Sequence, residues 1–213
     1  MYHDVTERKW AVKGAEGGVD GLIAVNDRAG GHAGSRTAET LIEELGDLGL
    51  PLVCAGGIGN EGDFVAAMAL GYVGAQLGTR FIATEECHAG AGYKQAIVDA
   101  DASDVVLTER ITGVPVAVLD TGSVRRLGTK AGPIARWVLQ RRRTRHWMRT
   151  FYGLRSLWKL KRGLHRDAPG RDYWQAGRSV AGIRRVEPAG EIVRRFSAAW
   201  QGGPTAPGGP DRT

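Results

Sequence analysis

The chain has 213 residues, 42% of them apolar and 24% charged, with a formal net charge of +6. This composition is typical of a globular protein in water. No apolar run approaches the roughly 18 residues that span a bilayer, and the polar N-terminus lacks a signal-peptide core. We therefore expect a cytoplasmic protein. Cys54 and Cys87 show no CxxC or disulfide-framework spacing and are expected to be structural thiols.

Helical and apolar segments alternate through the first half of the chain. The spacing of apolar residues predicts helices over residues 7–19, 35–50, 60–72 and 84–100. Short apolar runs predict strands over residues 20–25, 51–59 and 73–81. Ser35 or Thr37 is expected to cap the second helix, and Asn60 the third.

This alternation predicts an α/β fold with parallel strands joined by crossover helices. The strands are almost continuously apolar, as expected when both faces of a parallel sheet are buried. Each strand runs into a glycine-rich loop, and β/α barrels build their active sites at that end of their strands. A barrel is favoured, and a doubly wound sheet is the alternative.

The second half of the chain differs in charge. Residues 1–123 contain 8 basic and 18 acidic side chains, whereas residues 124–213 contain 21 basic and 5 acidic ones. We predict a partial barrel over 1–123, a basic helical region over 124–201, and a disordered Gly/Pro-rich tail over 202–213. Arginine, lysine and aromatic residues alternate over 125–163. The favoured interpretation is a solvated helical cap with no nucleic-acid or membrane partner, and binding to nucleic acid or an anionic membrane is the alternative.

Three glycine-containing clusters follow the predicted strands: AGGHAG (29–34), AGGIG (55–59) and QLGT (76–79). In the first, His32 could transfer protons near neutral pH, or it is a surface loop histidine. In the other two, exposed main-chain N–H groups favour an anion site, and two such loops in succession are typical of a barrel's phosphate site. Their spacing matches neither a dinucleotide fingerprint nor a P-loop.

The longest similarity to a known family is carried by DGLIAVNDRAGGHAG (20–34), LPLVCAGGIGNEGDFVAAMALGYVGAQLGTRFIATEEC (50–87) and YKQAIVDADASDVVLTERITGVPVAVL (93–119). These segments resemble nitronate monooxygenase, formerly called 2-nitropropane dioxygenase, and the resemblance runs over residues 3–121. A weaker resemblance returns at WQAGRSVAGI (174–183) and the closing helix. It implies the C-terminal part of a TIM-type (β/α)8 barrel that binds FMN.

The resemblance also implies an activity and a site. The implied reaction is the oxidation of an alkyl nitronate or nitroalkane by O₂ to a carbonyl compound and nitrite. The implied catalytic base is His32. The implied cofactor site consists of Gly30, Gly31, Gly56, Gly57, Gln76, Gly78 and Thr79. No metal is expected, because the histidines show no ligand spacing.

Family members carry further strands before the position of Met1, so we expect a fragment, an inactive chain, or chains that complete one another as a homo-oligomer. Arg178 stands where the family commonly has Gln. A flavin-dependent enoyl-carrier-protein reductase, which has a similar barrel and similar phosphate loops, is the alternative enzyme.

Overall fold

Four short parallel strands form the sheet of the molecule. The computed structural model describes residues 1–110, 114–129 and 173–201. The strands lie in the order β1-β2-β3-β4: β1 Tyr2–Val5, β2 Gly21–Val25, β3 Leu52–Ala55 and β4 Gly74–Gln76. Each neighbouring pair of these four strands is parallel. The predicted α/β class with parallel strands is therefore confirmed.

Helices connect these strands and begin at capping residues. They are α1 Arg8–Glu16, α2 Ala38–Leu45 and α3 Glu61–Ala69. Thr37, rather than Ser35, caps α2, since its hydroxyl accepts the Thr40 N–H at 3.2 Å. Asn60 caps α3 through a reciprocal pair: its side chain accepts the Asp63 N–H at 2.9 Å, and the Asp63 carboxylate accepts the Asn60 N–H at 3.3 Å. Two N–H groups that would otherwise be unpaired are thereby satisfied.

The predicted elements are longer than the observed ones, most clearly in two places. The strand predicted over 73–81 ends at Gln76, because the chain turns at Gly78 into a one-turn helix, α4 Thr79–Ile82. The helix predicted over 84–100 occupies only its second half, as α5 Ala91–Asp99. The first difference arises because Gly78 and α4 interrupt the apolar run, and the second because α5 begins only after Gly90.

A two-stranded antiparallel pair lies beside the sheet. Strand β5 Val105–Thr108 pairs with β6 Val116–Leu119, and all four residues of β6 are buried. The sequence analysis assigns no element here, because runs of four residues are too short to show a period. A short helix, α6 Gly122–Leu127, follows β6.

The last described helix, α7 Ala189–Gln201, packs on the first half of the chain. Its Ile192 and Phe196 belong to the same buried cluster as Leu22, Leu41 and Leu45. The Phe196 ring stacks on Phe64 of α3, with 5.4 Å between ring centroids. Each such buried side chain contributes about 1.5–3 kcal/mol of transfer free energy, so α7 is part of the core.

Most of the basic region and the whole predicted tail lie outside the described residues, which omit 130–172 and 202–213. The predicted division at residue 123 stays a prediction. Within the described ranges, no helix has both the length and the apolar character needed to cross a membrane.

Candidate functional site

A cleft of about 500 Å³ lies at the carboxyl ends of the parallel strands. All residues predicted from the sequence line it: Gly30, Gly31, His32, Gly56, Gly57, Gln76, Gly78 and Thr79. These residues lie in the loops after β2, β3 and β4, which form a wall of the cleft, as expected for parallel strands that end at one edge of a sheet. The fold thus brings the predicted residues together, while their chemical roles stay predictions.

The loop that carries His32 is held by a buried asparagine that sequence reasoning missed. Asn26, only 1% exposed, accepts the Arg28 N–H at 2.9 Å and donates to the Gly56 carbonyl at 3.0 Å. One side chain therefore ties the histidine loop to the glycine loop after β3. His32 itself is exposed and lies at the cleft. The sequence feature that could have identified Asn26 is its position as a polar residue at the end of an apolar strand.

The glycine loop after β3 uses its glycines for backbone conformation. Gly56 and Gly57 have φ angles of +114° and +79°, which disfavour any residue with a Cβ. The N–H groups of Gly59 and Asn60 donate to the Asp63 carboxylate at 3.0 and 3.3 Å. These two donors of the α3 terminus are consequently not available to an anion.

The loop after β4 leaves space and donors at the cleft. A Cβ added to Gly78 would meet no described atom within 4 Å. Among the described residues, none accepts the main-chain N–H of Gly57, Gly78 or Thr79. The Thr79 hydroxyl accepts the Gly177 N–H at 3.0 Å, which leaves its own hydrogen free to donate. Three main-chain donors and one hydroxyl are thus available to an acceptor-only group such as a phosphate.

Residues 175–183 close the cleft from the other side. Gln175 and Ser179 line it, and the Arg178 N–H donates to the Arg28 carbonyl at 2.9 Å. A Cβ on Gly30 would stand 2.8 Å from the Gly177 nitrogen, so the two glycines allow these backbones to approach. The Arg178 side chain is exposed and is not among the lining residues.

A buried ion pair joins α4 to the segment just before α7. Arg80, 2% exposed, donates to Glu187, whose side chain is 8% exposed. The same carboxylate accepts from Arg195 at 2.5 and 2.8 Å, and Arg195 also donates to Glu61. Desolvation, followed by repulsion from Arg195, lowers the pKa of Arg80. Since Arg80 directly follows Thr79, this ion pair anchors the wall of the cleft.

Known proteins with similar sequences and structures support one family. A probable nitronate monooxygenase of Staphylococcus saprophyticus is 33% identical over 146 residues, which cover 63% of this chain and 41% of that protein. Among solved structures, FabK from Thermotoga maritima has a TM-score of 0.76 at 26% identity, covering 94% of this chain and 60% of its own. A nitroalkane oxidase from Streptomyces ansochromogenes has a TM-score of 0.71 at 27% identity, covering 94% and 57%.

The chain spans less than two thirds of the length of each of these relatives. The family model for nitronate monooxygenase nevertheless matches residues 5–198, which include His32 and all seven predicted cofactor-site residues. The chain belongs to the nitronate monooxygenase family, a family of oxidoreductases.

Proposed function

We propose that this chain provides the FMN site and the catalytic base of an enzyme that oxidises alkyl nitronates with O₂ to a carbonyl compound and nitrite. The observation that carries the proposal is the shared cleft. A histidine and two loops with free N–H donors, predicted separately from the sequence, line the same space. A reducing cytoplasm and assembly into a homo-oligomer are further parts of this proposal.

The residues present fit the phosphate of FMN. The open space beside Gly78 and the free N–H groups of Gly57, Gly78 and Thr79 suit an acceptor-only dianion. The Thr79 hydroxyl adds a donor whose orientation is fixed by Gly177. FMN, when bound, supplies the redox chemistry, and the protein binds and orients it.

His32 has the position required of a base. It is exposed and lines the cleft, directly after Gly31, which has no Cβ that would occupy the space beside it. With a neutral nitroalkane, an imidazole nitrogen of His32 removes the proton from the carbon that carries the nitro group. The resulting nitronate is the species that is oxidised. A positioned base of this kind contributes about 10²–10⁴-fold in rate.

The first experiment measures flavin retention and then turnover. Purified chain is mixed with FMN and desalted, and its visible absorbance spectrum is recorded for the native protein, Thr79→Ser and Thr79→Val. The native protein and Thr79→Ser should keep flavin bands, and Thr79→Val, which is nearly isosteric but lacks the hydroxyl, should lose them. Native protein that retains flavin is then assayed for nitrite release from a nitronate. If no flavin is retained, or no nitrite appears, the proposal is wrong.

A flavin-dependent enoyl-carrier-protein reductase is the second candidate. The fold similarity to FabK over 94% of this chain favours it. Oxidation of NAD(P)H together with turnover of an enoyl thioester, and without nitrite release, would support the reductase. The cofactor loops would serve both reactions, so the substrate assay is the measurement that separates the two.

A further inference from the structure

Gln175 supplies the cleft with a side chain that neither the fold nor the proposed cofactor site explains. It lines the cleft together with His32. Its side-chain oxygen lies 3.3 Å from the position that a Cβ on Gly31 would take, so the amide stands beside the histidine loop. Among the described residues, none forms a hydrogen bond with this amide. The group is therefore available to a ligand.

The main chain at Gln175 is held from several directions. The Tyr93 hydroxyl donates to the Gln175 carbonyl, and the Tyr93 ring stacks on Trp174 with 5.5 Å between centroids. Burial raises the pKa of Tyr93, which keeps the hydroxyl protonated as a donor at neutral pH. The Leu119 N–H donates to the Trp174 carbonyl at 2.9 Å. A side chain on such a fixed backbone is suited to binding a ligand in one orientation.

The charged residues around the cleft decide which kind of group has to bind an anionic substrate. The described residues that line the cleft include Asp4 and neither a lysine nor an arginine. A nitronate is an anion, and because neither a lysine nor an arginine lines the cleft, neutral N–H donors are left to bind its oxygens beside His32. The Gln175 amide carries two N–H groups on one nitrogen, and from its own wall of the cleft it reaches Gly31, the neighbour of His32.

We propose that Gln175 is a substrate-binding residue that donates an amide N–H to an oxygen of the bound nitronate and takes no part in holding the cofactor. This inference rests on the proposed function. Replacing the amide with a carboxylate removes both donors and adds a like charge. Anionic nitronates should then be rejected more strongly than their neutral nitroalkane parents.

The test compares Gln175→Ala and Gln175→Glu with Gln201→Glu, which makes the same charge change at an exposed position on α7 outside the cleft. KM for a nitronate should rise about three- to tenfold in Gln175→Ala and at least about tenfold in Gln175→Glu. The dissociation constant of FMN should stay the same in all three variants. Unchanged KM in Gln175→Ala, or weaker FMN binding in either Gln175 variant, would overturn the inference.

A second measurement needs neither flavin nor turnover. Propionate, whose planar carboxylate carries two oxygens as the NO₂ group of a nitronate does, is titrated into each protein while the side-chain amide signals are followed by ¹H–¹⁵N NMR. The signals that are missing from Gln175→Glu identify the Gln175 amide. They should shift on addition of propionate in the native protein, and the shift should persist in Gln201→Glu. If the Gln175 amide signal does not move, the role of Gln175 is contradicted. This result is independent of the nitrite assay, which tests the proposed function separately.

Discussion

The buried carboxylate of Glu187 leads to the most specific prediction about the free energy of unfolding. Replacing it with Gln keeps the shape of the side chain and removes its charge, leaving Arg80 buried at 2% exposure without its anion. Breaking a buried ion pair at one partner costs about 3–5 kcal/mol. Arg195 is 37% exposed and regains water, so the loss is assigned to Arg80. For a chain of this size the midpoint of thermal unfolding should fall by roughly 6–20 °C.

The assay is chemical denaturation of Glu187→Gln beside Glu191→Gln. Glu191 pairs with Arg194 on the exposed side of α7, with side-chain exposures of 50% and 70%. Losing that pair should change the free energy of unfolding by no more than about 0.5 kcal/mol. Adding Arg80→Met to Glu187→Gln should recover part of the loss, since the unpaired charge is then gone. Equal effects of the two Glu→Gln changes would refute the reasoning.

Three further predictions follow from the loops and their caps. His32→Asn should lower nitrite release from a neutral nitroalkane by about 10²–10⁴-fold and from a preformed nitronate much less; equal losses on both substrates would exclude a base. Gly78→Ala should leave stability unchanged but weaken FMN binding, because its methyl group enters the open space of the cleft. Gly30→Ala, by contrast, would place a methyl group against the Gly177 backbone, and the free energy of unfolding in urea should fall by about 1–3 kcal/mol. Asn60→Ala removes the cap of α3 and should cost about 1 kcal/mol; a loss no larger than that of Gln201→Ala, at an exposed position on α7, would contradict it.

The sequence allowed the first half of the fold to be predicted because its signals are local. Strand β2 is indicated by a continuous apolar run, and helix α3 by helical apolar spacing, its N-cap Asn60 and the glycine after its end. The glycine-containing loops after β3 and β4 are recognisable for the same reason, since each directly follows its strand. The gathering of these residues at one cleft then follows from parallel topology alone.

The opposite wall of the cleft could not be predicted in this way. Gln175 and Ser179 reach it through contacts with residues far away in the sequence, and no periodicity records such contacts. The ion pair between Arg80 and Glu187 is equally hidden, because each residue looks like an ordinary surface charge in its own segment. Asn26 is an intermediate case: its place at the end of a strand is visible, but its partner on the next loop is not.

Because the last described segment folds back onto the cleft, the strands can form during synthesis before the cleft is completed. Gly177 and Glu187 bind residues that lie 98 and 107 positions earlier in the chain. The β1–β4 units rely on contacts between near neighbours and can form on the ribosome, whereas contacts of such long range form only when the later residues have emerged. The wall behind Thr79 is thus incomplete until Gly177 and Glu187 have been synthesised. We expect the chain to acquire its cofactor after synthesis rather than while it is being made.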